Sequence, residues 1–164
     1  MRLDNKQKKF GFKFIIYLIS IIYVLALIYI LLLKNGDAFI LANYINQKSF
    51  SEKLSYAQLV PFITIKEFIF ESPSYLITIK NLLGNIIIFF PLGFLIPSVF
   101  LRLNNWKKVF IVVFFSSLLI ELIQLITGLG FFDVDDLILN TLGGMIGYYI
   151  YKLVTVNVLK IKKK

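Results

Sequence analysis

Residues 109–147 read VFIVVFFSSLLIELIQLITGLGFFDVDDLILNTLGGMIG, and their apolar blocks give the clearest indication of the fold. It begins with an apolar block over about 109–127, and a second block starts at Leu137 and continues to about residue 156. Each block has about twenty residues, enough for a helix to cross roughly 30 Å of hydrocarbon. The loop between them carries three Asp. The stretch therefore predicts two transmembrane helices joined by a short acidic loop.

Two further apolar blocks lie upstream, over about 14–33 and 82–101. The first follows a basic segment, as the core of a signal peptide does. It is longer than a usual signal core, however, and residues 34–36 offer no small-residue cleavage pattern, so we expect it to remain as a span. The second contains two prolines, which tend to kink a membrane helix. The sequence predicts an all-α, polytopic membrane protein with four transmembrane helices in a single domain over 1–164.

The segment between the first two spans is polar, with a turn predicted at Asn35-Gly36-Asp37. It also contains LVPFITI (59–65), an apolar stretch that is soon broken by charged residues at 66, 67 and 71. This stretch is too short and too charged to cross a membrane. Its apolar positions suit one helical face, with Pro61 in the first turn. We expect an interfacial or re-entrant outer segment here.

The composition excludes several kinds of chemistry. The chain has no Cys and no His, so thiol nucleophiles, thiolate metal sites and Ser-His-Asp arrangements are ruled out. It has 18 basic and 9 acidic residues, and the basic ones collect at the ends of the spans and at both termini. That arrangement is typical of attraction to anionic lipid, not of nucleic-acid binding. The partner that it indicates is the lipid bilayer.

Loop charges also predict the orientation of the chain. The N-terminal arm, the 102–108 loop and the C-terminal tail are basic, whereas the 128–136 loop carries only acidic charge. By the positive-inside rule, both termini lie in the cytoplasm and the acidic loop lies outside. We therefore expect a multi-pass protein of the cell membrane.

Polar residues form stripes on three of the predicted spans. The stripe on the second span consists of Asn81 and Asn85, one helical turn apart. Those on the third and fourth spans have helical spacing, and they comprise Ser117, Glu121, Gln124 and Gly128, and then Asp136, Asn140, Gly143 and Gly147. All three stripes lie toward the predicted outer half of the membrane.

Glu121 is the central candidate residue, because an ionisable group about 9 Å inside its helix end should face the bundle interior or a wet cavity. We predict Glu121 and Asp136 as catalytic residues. The predicted ligand-binding residues are Asn81, Asn85, Gln124, Asp133, Asp135 and Asn140.

The alternative to a functional site is a structural one. Asn, Gln and Ser join membrane helices by hydrogen bonds, glycines form a contact face, and Asp135 or Asp136 would cap the fourth helix. The Asp residues within 133–136 also suggest a divalent cation, but they match no complete metal-binding motif. We predict no metal and no cofactor, and the cation stays an alternative.

Four groups of residues together carry a family resemblance. They are LVPFITI (59–65), NLLGN (81–85) with FPLGF (90–94), ELIQ (121–124) and FDVDDLILNTLGG (132–144). In this order and spacing they resemble the VanZ-like membrane proteins associated with resistance to glycopeptide antibiotics such as teicoplanin, over about 59–150. The chain departs from the family at 128–131, where many relatives carry an Arg and this sequence reads GLGF. The resemblance implies a small polytopic protein that lowers susceptibility to teicoplanin-type antibiotics.

Three functions are compatible with these residues. The first is an envelope protein whose outward-facing polar pocket engages a lipid-linked cell-wall precursor or an envelope polymer, with or without catalysis by Glu121. The second is a small proton-coupled transporter, which four helices would form as a homo-oligomer through the glycine face. The third is a non-catalytic partner of cell-wall enzymes. The sequence leaves open whether the protein is an enzyme.

Overall fold

Seven α-helices carry the described part of the chain, which in the computed structural model comprises residues 5–33 and 38–161. They are α1 (Asn5–Ile28), α2 (Ala38–Asn46), α3 (Phe50–Ser55), α4 (Ile63–Phe70), α5 (Tyr75–Val99), α6 (Trp106–Thr127) and α7 (Val134–Ile161). After α1 the chain continues as a π-helix over Tyr29–Leu33. The turn predicted at Asn35-Gly36-Asp37 lies outside the described residues.

Four of these helices are long and apolar enough to cross a membrane. The segments concerned are Lys13–Leu31, Tyr75–Val99, Trp106–Thr127 and Val134–Val156. The predicted all-α fold with four transmembrane helices is confirmed.

Capping residues move the helix limits away from those of the apolar blocks. α5 begins at Tyr75 instead of Leu82 and ends at Val99, because the Ser74 side chain accepts the backbone N–H of Leu76 and starts the helix ahead of the apolar block. α6 begins at Trp106 instead of Val109, where the Asn105 side chain accepts the N–H of Lys107 at 2.9 Å. The predicted limits of 82–101 and 109–127 are corrected accordingly, and α7 likewise begins at Val134 instead of Leu137.

Glycines allow α5 and α7 to pack backbone against backbone. A Cβ added to Gly143 would collide with the carbonyl oxygen of Ile86, and one added to Gly147 would collide with that of Phe90. Helices approach this closely only where no side chain intervenes. The glycine face is therefore used inside the chain, and it does not supply the homo-oligomer contact that we considered for a transporter.

An apolar core fills the space between α5, α6 and α7. Phe89, Val109 and Val113 are fully buried there, and Ile96 and Tyr148 pack with them. α1 lies at the edge of this core, since only 6% of its span is buried, against 50% in α7. The Tyr23 hydroxyl of α1 donates to the carbonyl of Ile88 on α5 at 2.7 Å.

The segment before α4 folds over the end of α6. Asn46 donates through Nδ2 to the carbonyl of Thr127 at 2.9 Å, and Lys53 donates through Nζ to that of Ile126 at 2.8 Å. The last carbonyls of a helix lack partners within the helix, and a cation there also complements the helix dipole. α2 and α3 are thereby fastened to the bundle.

α4 is the helix of the predicted interfacial segment. It has eight residues and is too short to cross a membrane. Pro61 precedes the helix instead of occupying its first turn, and Phe62 at the N-cap has a φ of 68°, in the left-handed region. The location of α4 at the membrane surface stays a prediction.

Candidate functional site

A polar cavity of about 500 Å³ lies at the end of the bundle where α5 and α7 begin and α6 ends. α4 contributes Thr64 and Phe68 to its wall, and the end of the first span contributes Ile30 and Leu31. Five residues predicted to form the site line it, namely Asn81, Asn85, Gln124, Asp133 and Asp136. The structure thus brings most of the predicted polar residues together around one space.

Asp136 and Asn85 meet across the contact between α7 and α5. Asn85 donates through Nδ2 to Oδ1 of Asp136, and both side chains are partly buried. This pair can form because Gly143 and Gly147 bring α7 against α5. Asp136 retains a second carboxylate oxygen for a ligand in the cavity.

Glu121 lies behind the cavity and does not belong to its lining in the described part of the chain. Its side chain is 2% exposed, and its Oε2 accepts the backbone N–H of Asp133 at 3.0 Å. The expectation that Glu121 faces the bundle interior agrees with this position. Through this hydrogen bond the carboxylate holds the loop before α7 against α6.

Asp133 and Asp135 both organise the start of α7. Asp133 precedes the helix and accepts the N–H of Asp135 at 2.7 Å, as an N-cap residue does. The structural alternative assigned the cap to Asp135 or Asp136. The carboxylate of Asp135 instead accepts the backbone N–H groups of Phe62 and Ile65, at 2.6 and 3.0 Å.

Gln124 and Asn140 form hydrogen bonds between helices. Gln124 donates through Nε2 to the carbonyl of Leu31 at 3.0 Å and so closes the cavity against the end of the first span. Asn140 is 1% exposed and donates to Oγ of Ser117 at 2.9 Å, while its Oδ1 has no partner among the described residues. The observed contact of Asn140 is therefore a hydrogen bond that joins two helices, as the structural alternative to a functional site predicts.

Sequence reasoning missed Lys80, Gly84 and Thr64 as parts of the wall. Lys80 precedes the apolar block over about 82–101 that predicts the second span. A signal was present, since Lys80 and Gly84 have the same spacing of four as Asn81 and Asn85. The cavity therefore carries a cation that the stripes of amides and carboxylates did not predict.

Acidic side chains converge at this end of the bundle, at Asp133 and Asp136 of the cavity wall. Within the described ranges, no group of three or more Asp or Glu lies close enough together to hold a metal ion. Asp135, the middle member of the predicted cluster, is occupied by two backbone N–H groups.

Fold and site together define a class: a small polytopic membrane protein with a polar cavity at one end of its helix bundle. The sequence model of the VanZ/LLP1 family matches residues 14–155, and the chain belongs to this family. The match begins before the region of the predicted resemblance and includes the first span.

One curated relative is Protein VanZ of Enterococcus faecium. It is 38% identical over 74 residues, which make up 45% of this chain and 45% of that protein. The matched stretch thus covers less than half of the relative. No solved structure matches the chain.

Proposed function

We propose that this protein acts in the cell envelope as a VanZ-like protein that lowers susceptibility to teicoplanin-type glycopeptides. Its outward-facing cavity binds a cell-wall or lipid-linked ligand. The observation that carries the proposal is the cavity of about 500 Å³, in which polar side chains from three spans converge. Ligand pockets of roughly 300–1,000 Å³ are typical of small-molecule sites. Membership of the VanZ/LLP1 family supports the envelope role.

The geometry supports binding more than catalysis. Glu121, the predicted general acid or base, is buried against the N–H of Asp133 and is absent from the cavity lining among the described residues. A catalytic acid or base must come within hydrogen-bond reach of the reacting group. Asp136 and Asp133 are the carboxylates that a ligand would meet first.

Transport receives less support from the bundle. A proton-coupled carrier needs polar groups along a path across the membrane. Beyond the cavity, the interior is filled by Phe89, Val113 and Ile120, all of them buried and apolar. The glycine face proposed for assembly is occupied by α5.

The decisive experiment fills the cavity without breaking the fold. A Cβ added to Gly84 meets nothing within 4 Å, so Gly84→Trp should place an indole in the cavity. Wild type, Gly84→Trp and Asp136→Asn would be expressed in a teicoplanin-susceptible Gram-positive host. Inhibitory concentrations would be compared at equal membrane abundance, checked by immunoblot. We expect wild type to raise tolerance and both variants to lose the increase.

Ile87→Trp is the matched control. Ile87 lies three residues further along α5, is 64% exposed on the outside of the bundle, and should carry an indole into lipid without consequence. If the Gly84→Trp protein still raises teicoplanin tolerance, the cavity is not needed for this function. That result would favour the alternative of a non-catalytic partner of cell-wall enzymes. A wild-type chain without effect on tolerance would refute the envelope role.

A further inference from the structure

The charged groups of the cavity are ordered by depth. Lys80 is exposed, whereas Asp133 and Asp136 are partly buried. On α5, Lys80 precedes Asn85, the partner of Asp136, by five residues, or about 7.5 Å along the helix axis at 1.5 Å per residue. The cavity thus presents a cation at its mouth and carboxylates further in.

The inner carboxylates accept hydrogen bonds from neutral groups in the described part of the chain. Asp136 accepts from the amide of Asn85, and Asp133 accepts from the backbone N–H of Asp135. Negative charge that is partly buried without a cationic partner is costly, and a cation that arrives with a ligand relieves this cost. The inner end of the cavity therefore favours a positively charged group.

We infer that the cavity binds its ligand with an ammonium group foremost, next to Asp136 and Asp133, and leaves an anionic group of the same ligand at Lys80. An amino acid or the amino end of a short peptide has this chemistry. The inference rests on the proposed function, because it names the ligand class of the same cavity.

A phospholipid headgroup does not match this order of charges. With its tails in the bilayer and directed toward the centre of the membrane, its phosphate would lie at the level of Asp136 and its amine at the level of Lys80. Each position would bring like charges together, which would weaken binding by about a hundredfold or more. Carboxylates also favour an ammonium with N–H donors, whereas quaternary ammonium is bound by cages of several aromatic rings. Phe68 is the aromatic residue in the described lining.

Three related dipeptides test the inference. Full-length protein in phosphatidylcholine nanodiscs would be titrated calorimetrically with glycylglycine, N-acetyl-glycylglycine and glycylglycine amide. Acetylation removes the ammonium and should weaken binding at least about tenfold, because the carboxylates again lack a cationic partner. Amidation removes the carboxylate and should weaken binding less, because Lys80 is exposed to water.

Substitutions in the cavity test which residue recognises the ammonium group and which recognises the carboxylate of the dipeptide. Asp136→Asn should remove the preference for glycylglycine over its acetylated form, and Lys80→Gln should remove the preference over the amide. Lys66→Gln is the matched control, since Lys66 is an exposed lysine on α4 outside the cavity lining, and it should keep both preferences.

Three results would overturn the inference: no saturable binding of glycylglycine, equal binding of its acetylated form, or tighter binding of dihexanoyl phosphatidylethanolamine. If one of these results is obtained and Gly84→Trp still abolishes the antibiotic tolerance, the ligand class alone is refuted. If the dipeptide binds as expected but Gly84→Trp leaves the antibiotic tolerance intact, the proposed function of the cavity is refuted instead.

Discussion

The carboxylate of Asp135 accepts the backbone N–H of Phe62 at 2.6 Å, a bond that joins the turn before α4 to the first turn of α7. Its other oxygen accepts the N–H of Ile65 at 3.0 Å, and the side chain has 0% exposure. The first N–H groups of a helix have no partner within it, so Asp135 caps α4 from outside. Because Thr64 and Phe68 of α4 form part of the cavity wall, this contact also shapes the cavity.

Replacement of Asp135 should loosen α4. Asp135→Ala leaves two backbone N–H groups without their charged acceptor and should lower the free energy of unfolding by about 3 kcal/mol. Asp135→Asn keeps one acceptor oxygen and should lower it less. Thermal unfolding of the purified protein in detergent measures both. Glu67→Ala, an exposed acidic residue on α4, is the control. An Asp135→Ala protein as stable as the control would contradict a capping role.

Two glycines on facing helices should respond oppositely to the same change. Gly143→Ala forces a methyl group into the carbonyl oxygen of Ile86, so α5 and α7 must separate, and we expect a loss of about 2 kcal/mol or more. Gly84→Ala meets open space in the cavity and should leave stability unchanged or slightly raised. Thermal midpoints and the yield of monodisperse protein compare the two. Equal tolerance of both changes would argue against the close helix contact.

Glu121 should act through its oxygen atom more than through its charge. Glu121→Gln retains an acceptor for the N–H of Asp133 and should keep both stability and antibiotic tolerance. Glu121→Leu leaves that N–H unpaired and should lower stability by about 1–3 kcal/mol. Unfolding and inhibitory concentrations would be measured for both variants. A stable Glu121→Gln protein that confers no tolerance would restore Glu121 as a catalytic candidate.

The predicted orientation can be read by cysteine labelling, because the chain contains no Cys. Ser51→Cys and Lys107→Cys place single thiols at exposed positions on opposite ends of the bundle. With both termini in the cytoplasm, a membrane-impermeant maleimide should label residue 51 in intact cells and residue 107 only after permeabilisation. The reverse pattern would turn the cavity toward the cytoplasm and exclude an outward-facing site.

Much of the candidate site could be predicted from helical spacing. Asn81 and Asn85 line the cavity together because spacing by four residues places side chains on one face of a helix. Gln124 and Asp136 belong to the stripes predicted on the other two spans, and they line the same cavity. Asn140 has the same spacing, yet it lies deeper and bonds to Ser117. Periodicity specifies the face of a helix, but it does not distinguish a side chain that reaches a cavity from one that meets a neighbouring helix.

Hydropathy alone predicts the class of the fold and its four spans, because apolar blocks of about twenty residues have few stable structures in lipid except helices. The motifs at 59–65, 81–94, 121–124 and 132–144 indicate the family. Three features follow from tertiary packing instead: Lys80 lines the cavity, Asp135 caps α4, and Glu121 lies behind the cavity wall. Those roles depend on where α5 and α4 begin and on the depth at which α7 packs. Single capping bonds and glycine contacts between distant segments set these features, and a local pattern of hydrophobicity does not encode them.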